Sequence, residues 1–201
     1  MVVQWLHDPP TLQLTFILGF YVSLVVKRWW DQYVKLPWPD EVAMFIKAGI
    51  TKEEGEPGEN LRIRRTVVRY LVLSYVLCLR RVSTKIRNHC PTMQTLVNSN
   101  LLREDEVGQF WKPPFCFQAL LLGDEDERVL GEHGGSNWWM PLKWAIARVT
   151  KANSEGRVNC APVYANIVKG IVEFRKSLTG VVTYGYVPVP LVYSQVWLVP
   201  Y

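Results

Sequence analysis

Residues 15–30 have the sequence TFILGFYVSLVVKRWW, and the motif PWPD follows at residues 37–40. The eighteen residues from Pro9 to Val26 carry no charge. As a helix rising about 1.5 Å per residue, this run would be roughly 27 Å long, against a bilayer hydrocarbon core of about 30 Å. Lys27 and Arg28 place its C-terminal end on the cytoplasmic side by the positive-inside tendency. We therefore predict a membrane-spanning helix over residues 9–30.

The stretch from Ser177 to Tyr201 also carries no charged residue. It contains Pro188, Pro190 and Pro200, which a smooth helix would not include. Irregular backbone at membrane depth persists only where protein or a water-filled cavity satisfies the freed polar groups. We predict that residues 177–201 begin a second membrane segment, kinked or re-entrant, beside such a cavity.

Residues 31–176 are predicted to form a helical cytosolic region. A helix should start at residues 38–41 and direct Val42, Phe45 and Ile46 to one face, and a polar loop should occupy residues 49–59. A long helix should follow, because apolar residues recur at steps of three and four before Pro91. Its apolar stripe consists of Val68, Leu71, Val72, Tyr75, Val76, Leu79, Val82 and Ile86.

Further helices are expected on both sides of a long connection. A short helix should lie within residues 92–100, and residues 104–137 read as a surface loop. A helix containing Trp144, Ile146 and Val149 should come next, and Pro162 suits the first turn of the one after it. The stripe of that last helix is Val163, Ile167, Ile171, Phe174 and Leu178. Nothing in the sequence indicates a sheet.

The stretch from Leu61 to Cys90 has eight Arg or Lys residues and no Asp or Glu. It is either a solvated helix whose basic ends meet lipid headgroups or a positive lining that concentrates anions. No basic module with interleaved aromatics and no DNA-reading motif is present, so we expect no nucleic-acid partner.

Metal and enzyme chemistry have little support in the sequence. The four cysteines are widely spaced and, with the three histidines, match no zinc spacing, so they are predicted to be reduced thiols. His89, Cys90 and the acidic residues 124–127 could be imagined as a catalytic site. Cysteine–histidine catalysis needs a convergent orienting group, however, and no local signature indicates one. We predict that the chain has no catalytic residues, binds no metal and is not an enzyme.

Several blocks of the sequence, in this order, resemble the bestrophin family of anion channels. The matching blocks are Gly19-Phe20-Tyr21-Val22, Arg28-Trp29-Trp30, Pro37-Trp38-Pro39-Asp40, Leu79-Arg80-Arg81-Val82-Ser83, Pro91-Thr92, Trp139-Met140-Pro141, Trp144-Ala145, Gly156-Arg157-Val158 and Pro190-Leu191-Val192-Tyr193-Ser194-Gln195-Val196. Nine collinear blocks cover nearly the whole chain outside residues 111–130, which read as an insertion.

The resemblance implies a homopentamer with a central chloride-conducting pore, opened by cytosolic calcium. In the family, three apolar residues at four-residue steps line a narrow neck, and the corresponding positions are Leu12, Phe16 and Phe20. Four residues turn a helix by about 400°, so these side chains share one slowly drifting face. Buried packing or lipid contact is the alternative role for these three residues. A second, cytosolic aperture aligns near Pro162.

The resemblance also implies segments outside this chain: another transmembrane helix before the neck, and more membrane helix with an acidic calcium clasp after it. Calcium is expected for the complete family member, but none of its ligands can be assigned here. We predict an all-α membrane protein, a single partial bestrophin-like subunit over residues 1–201 with transmembrane and cytosolic helices. It would be multi-pass in the cell membrane when complete and would conduct chloride and bicarbonate. The alternative is a non-conducting bestrophin-like fragment or regulatory subunit.

Overall fold

The computed structural model describes residues 11–51, 58–110 and 137–186, with side chains from Leu18 onward in the first range. Eight helices lie in these ranges. They are α1 (Thr11–Val34), α2 (Pro39–Gly49), α3 (Glu59–Val82), α4 (Thr84–His89), α5 (Met93–Asn98), α6 (Glu104–Phe110), α7 (Met140–Ser154) and α8 (Ala161–Tyr186). The only β-type pairing in the described residues is an isolated bridge between Ile50 and Val158. The all-α prediction is confirmed for these ranges.

Helix α3 lies at the centre of the packing. It contacts α7 and α8, and α2 packs against both α3 and α8. The side chains of Ile46, Leu71, Val149 and Ile171 are fully buried, one from each of these four helices. The four helices share one hydrophobic core, while α1 contacts α8 only at a few positions.

The stripe predicted for α8 is confirmed at four of its five positions. Ile167, Ile171, Phe174 and Leu178 are buried, and Val163 is partly buried against the core. The periodicity succeeds here because α8 is covered mainly along one side, so apolar spacing and burial coincide.

The prediction for α3 is wrong in two respects. The helix ends at Val82 instead of continuing to Ile86, because Ser83 adopts an extended backbone (φ −109°, ψ 119°) before α4 begins. Arg87 folds back and donates from Nε and Nη2 to the carbonyls of Arg80 and Arg81, which satisfies groups left free at the helix end.

The buried face of α3 is also rotated from the predicted stripe. Of the predicted positions only Leu71 is fully buried, whereas Val67, Ser74 and Cys78 lie on the inner face. Leu73 and Leu77 are buried as well. Three helices, α2, α7 and α8, pack against α3, so the apolar pattern does not select a single face. Ser74 is tolerated there because its hydroxyl donates to the carbonyl of Trp138 at 2.8 Å.

Two smaller predictions also fail. Phe45 is 48% exposed, although Val42 and Ile46 on the same helix are buried as expected. Residues 104–110 form α6, not part of a surface loop, and Glu106 on that helix is buried. The rest of that loop, including the insertion predicted over residues 111–130, lies outside the described residues.

Gly49 marks the closest approach of α2 to α8. A β-carbon at this position would lie 2.7 Å from both Val163 Cγ1 and Ile167 Cδ1. At Gly170, by contrast, it would only touch the Val42 methyl groups at 3.9 Å. Gly49 therefore allows a contact that any larger residue would push apart.

We expect Gly49→Ala to lower the free energy of unfolding by about 1–3 kcal/mol through overpacking. Gly170→Ala serves as the matched control and should be neutral or stabilising by up to about 1 kcal/mol, because alanine favours a helix interior. Chemical denaturation in a mild detergent measures both variants. Equal effects of the two substitutions would contradict the close contact at Gly49.

No helix in the described part of the chain combines the length and apolar character needed to cross a membrane. Helix α1 includes most of the predicted span of residues 9–30 and continues to Val34. Helix α8 continues through Tyr186, and residues 187–201 of the predicted second segment lie outside the described ranges. Both membrane placements stay predictions.

Candidate functional site

The three predicted neck residues lie on α1. Because the segment is helical, their four-residue spacing gives one drifting face, as the sequence argument requires. Phe20 is 65% exposed, which is unusual for a phenylalanine within a single chain. The side chains of Leu12 and Phe16 lie outside the part of the chain that the structure describes. The neck assignment stays a prediction.

Gly19 precedes Phe20 on this helix. A β-carbon there would meet no described atom within 4 Å, so no close contact with the described residues requires glycine. Ser23, one turn later, donates its hydroxyl to the Gly19 carbonyl at 2.9 Å. Within the described part of the chain, Gly19 therefore makes no close approach to another helix.

The C-terminal end of α1 is held against α8 by two cationic side chains that contact Tyr184. Arg28 donates from Nη2 to the Tyr184 carbonyl at 2.5 Å, and its guanidinium lies 5.4 Å from the centre of the Tyr184 ring. Lys35 approaches the same ring at 4.9 Å. Cation–π contacts of this kind contribute about 0.5–1 kcal/mol at exposed sites. They join the predicted cytoplasmic boundary of α1 to the far end of α8.

An aromatic cluster is exposed beside this junction. Trp29, Trp30 and Tyr33 contact one another with ring centroids 5.7–6.2 Å apart, and each is more than half exposed. Amphipathic aromatic rings with one wet and one apolar side suit a membrane–water interface. The cluster lies where the sequence predicts that boundary.

Pro162, the predicted cytosolic aperture, is exposed at the second position of α8. Its fixed φ suits the first helical turn, where its missing N–H costs no hydrogen bond. No described contact joins it to α1, and its role in an aperture stays a prediction.

A buried ion pair connects α3 to α6. Arg69 donates from Nη1 and Nη2 to both carboxylate oxygens of Glu106, at 2.7 and 2.6 Å. The Tyr70 hydroxyl and the Arg103 backbone N–H also donate to this carboxylate, at 2.8 and 3.1 Å. Arg69 additionally reaches the Leu101 carbonyl at 2.9 Å. Glu106 thus fixes the short helix α6 against the middle of α3.

The protonation behaviour of this cluster follows from its contacts. Burial alone would raise the pKa of Glu106, but the hydrogen bonds from Arg69, the Arg103 backbone and Tyr70 outweigh it and hold that pKa below its usual value. Burial, followed by donation to Glu106, raises the pKa of Tyr70. The hydrogen bonds to Glu106 raise the pKa of Arg69. At neutral pH the pair is fully charged.

A second ion cluster centres on Arg157, in the connection between α7 and α8. Its guanidinium donates to Glu155 at 2.8 Å, to Glu59 at 2.5 Å and to Asn60 at 3.4 Å. Gly156 before it has φ +73°, which glycine adopts without strain. Arg157 therefore fixes the start of α3 to the turn that leads into α8.

The same connection binds the end of α2. Asn159 donates from its backbone to the Gly49 carbonyl at 3.1 Å and from its side chain to the Ala48 carbonyl at 3.2 Å. The Thr51 hydroxyl donates back to Asn159 Oδ1 at 2.5 Å. The block Gly156-Arg157-Val158, matched in the sequence, therefore lies where the ends of four helices meet: α2, α3, α7 and α8.

Neither ion cluster was predicted from the sequence. Glu106 was included in a surface loop, and Arg157 was noted only as part of a matched block. Glu106 lies 37 residues from Arg69, and Glu59 lies 98 residues from Arg157, and no local pattern gives these two pairings. The lack of any acid between Leu61 and Cys90 does indicate that Arg69 must find its carboxylate elsewhere in the chain.

Comparison with known proteins assigns the chain. A sequence profile described as "Bestrophin, RFP-TM, chloride channel" matches residues 2–200. The chain belongs to the bestrophin family. It is 32% identical over 188 residues to Bestrophin-3 from Homo sapiens and 35% identical over 185 residues to Bestrophin homolog 13 from Caenorhabditis elegans. Each match covers 92% of this bestrophin chain, but only 25% and 40% of those two relatives.

The family resemblance inferred from the collinear blocks is therefore confirmed. The family description names a chloride channel, which agrees with the prediction that this bestrophin chain belongs to a channel family and not to an enzyme family. The chain spans well under half the length of these relatives.

Proposed function

We propose that this chain is part of a subunit of a membrane anion channel that conducts chloride, and also bicarbonate, passively through a hydrophobic neck. The observation that carries the proposal is the family match over residues 2–200. The exposed apolar side chains of α1, among them Phe20 and Val22, support it, because such a surface suits lipid or other subunits. We propose a homopentamer in the cell membrane, multi-pass and in contact with lipid.

In this channel, Leu12, Phe16 and Phe20 from each subunit form stacked apolar rings. A narrow apolar constriction can empty of water and so block ions without a moving plug. The edges of aromatic rings carry partial positive charge, so phenylalanine can also meet an anion favourably. The neck would block ions when it is empty of water and would conduct anions when it is hydrated.

Calcium is the proposed regulator of the complete protein. Within residues 11–51, 58–110 and 137–186, no group of three or more His, Cys, Asp or Glu side chains could hold a metal ion. These described residues do not fit a calcium site.

We expect Phe16→Ala/Phe20→Ala to abolish closure of the neck. Cells expressing the protein should show anion current, and the variant should raise the current in the closed state by about tenfold or more, equivalent to a barrier change of about 1.4 kcal/mol. Whole-cell recording with chloride exchanged for a large organic anion measures both properties. Val22→Ala is the control, because Val22 lies two residues, about 200°, from Phe20 around the helix.

Cation-selective current would refute the channel proposal. Absence of current from the chain, combined with its co-purification with conducting bestrophin subunits, would instead support a non-conducting regulatory role. Equal effects of Val22→Ala and Phe16→Ala/Phe20→Ala would contradict the proposed pore-facing side of the helix.

A further inference from the structure

A basic groove lies between α3, α6 and α7. Its volume is about 800 Å³, within the range of about 300–1,000 Å³ typical of small-molecule sites. On α3 it is lined at positions 62, 65, 66, 69 and 70, and on α7 at positions 144, 147, 148 and 151. Both sets follow the three- and four-residue spacing of one helix face. The groove is therefore a continuous surface between two adjacent helices.

The charges of this basic groove are strongly unbalanced. Six cationic side chains line it against two carboxylates, which leaves four positive charges. The cations are Arg62, Arg65, Arg69, Arg103, Arg148 and Lys151. Both carboxylate oxygens of Glu106 already accept hydrogen bonds from Arg69 and Tyr70. Glu106 therefore does little to neutralise the other five cations.

Four of these cations have no ion-pair partner within the part of the chain that the structure describes. They are Arg62, Arg65, Arg103 and Arg148. The Nε of Arg148 is moreover buried without a hydrogen-bond acceptor among the described residues, a state that destabilises the chain. Lys151 has only a loose contact with Glu155, at 3.9 Å, and Glu155 is already bound by Arg157.

The groove has an ordered floor. Tyr70 and Trp144 meet edge to face with ring centroids 5.6 Å apart. The Arg69 guanidinium lies over the Tyr70 ring, 4.6 Å from the ring centre. Because Arg69 is held by Glu106, this floor is fixed before any ligand arrives.

We propose that this groove binds an anion bearing several phosphate groups. A single chloride ion would leave most of the positive charge unmatched, whereas adjacent phosphates offer many acceptor oxygens to planar guanidinium groups. The ligand is either a soluble polyphosphate, such as a nucleotide or inositol phosphate, or the phosphorylated headgroup of a lipid. This site goes beyond the proposed channel activity and does not depend on it.

The test measures binding of inorganic tripolyphosphate to the purified protein in detergent micelles by isothermal titration calorimetry at fixed ionic strength. Arg62→Gln/Arg65→Gln should weaken binding by about tenfold or more, because charge-assisted hydrogen bonds are lost at two exposed positions. Lys143→Gln/Lys176→Gln is the control: it removes the same charge from exposed residues outside the groove and should change affinity by less than about twofold, since exposed charges are screened by salt.

Two competitors then identify the source of the ligand. Displacement of tripolyphosphate by ATP supports a soluble ligand, and displacement by a short-chain phosphatidylinositol bisphosphate supports a lipid headgroup. Equal losses in the groove and control variants would overturn the proposal, because binding would then depend on net charge alone. Absence of tripolyphosphate binding by the unmodified protein would overturn it as well. Neither result would affect the anion-current test of the channel.

Discussion

Glu106→Gln is expected to lower the free energy of unfolding by about 3–5 kcal/mol, the range found when one partner of a buried ion pair is removed. The side chains of Arg69 and Glu106 are only 15% and 7% exposed, so water cannot replace the lost carboxylate. Glutamine can accept one hydrogen bond from Arg69, but it also turns an amide N–H₂ toward that cation. Denaturation in a mild detergent, followed by circular dichroism, measures the effect.

Glu104→Gln is the matched control for this substitution. Glu104 lies on the same helix α6, is exposed, and makes no ion pair among the described residues. Its replacement removes the same charge and should change stability by less than about 0.5 kcal/mol. If both variants lose the same free energy of unfolding, the buried ion pair does not hold α6 in place.

The lowered pKa of the Glu106 carboxylate predicts that the stability of the protein depends on pH. Because its folded pKa is lowered, Glu106 contributes stability that is fully present above its unfolded pKa, near 4.5. That contribution is lost as the pH falls below this value and through the folded pKa. The stability difference between the unmodified protein and Glu106→Gln should therefore shrink on acidification from neutral pH. A difference that stays constant across this range would contradict the assignment.

Arg157→Met is expected to lower the free energy of unfolding by about 3 kcal/mol, since breaking a buried ion pair leaves its carboxylates without their cation. The Arg157 side chain is 8% exposed, whereas Glu59 and Glu155 are about one third exposed and can partly regain water. This effect should therefore be smaller than that of Glu106→Gln. The same denaturation measurement applies.

Two further variants separate charge from geometry at this position. Arg157→Lys keeps the charge but cannot donate to Glu59, Glu155 and Asn60 together, and should recover less than half of the loss. Arg65→Met, at an exposed arginine of α3, should have little effect on stability. Full rescue by lysine would show that charge alone, and not the three-way hydrogen bonding, fixes this junction.

The sequence predicted some elements well because a local pattern carried the information. The apolar spacing of α8 gave its buried face, and Pro39 and Pro162 indicated the first turns of α2 and α8. The order of nine short blocks gave the family. In each case the decisive residues are near one another in the chain or are matched one by one.

Other features depended on contacts between distant residues. The buried face of α3 could not be inferred from its stripe, because α2, α7 and α8 all pack against this helix. Helix α6 has a polar sequence with three acids in its first turn, and only the partner Arg69 explains why Glu106 is buried. The break at Ser83 likewise depends on Arg87 reaching the carbonyls at the end of α3.

The opening run, residues 15–30, shows the same division. By itself the sequence determined that this segment is uncharged up to Val26, is helical in tendency, ends in Lys27-Arg28-Trp29-Trp30 and resembles the bestrophin neck. Only the tertiary structure decided that Phe20 is exposed and that Arg28 and Lys35 hold the helix to Tyr184. Helical spacing is a local property of the chain, whereas exposure and cation–π contacts depend on residues that folding brings together from more than 140 positions apart.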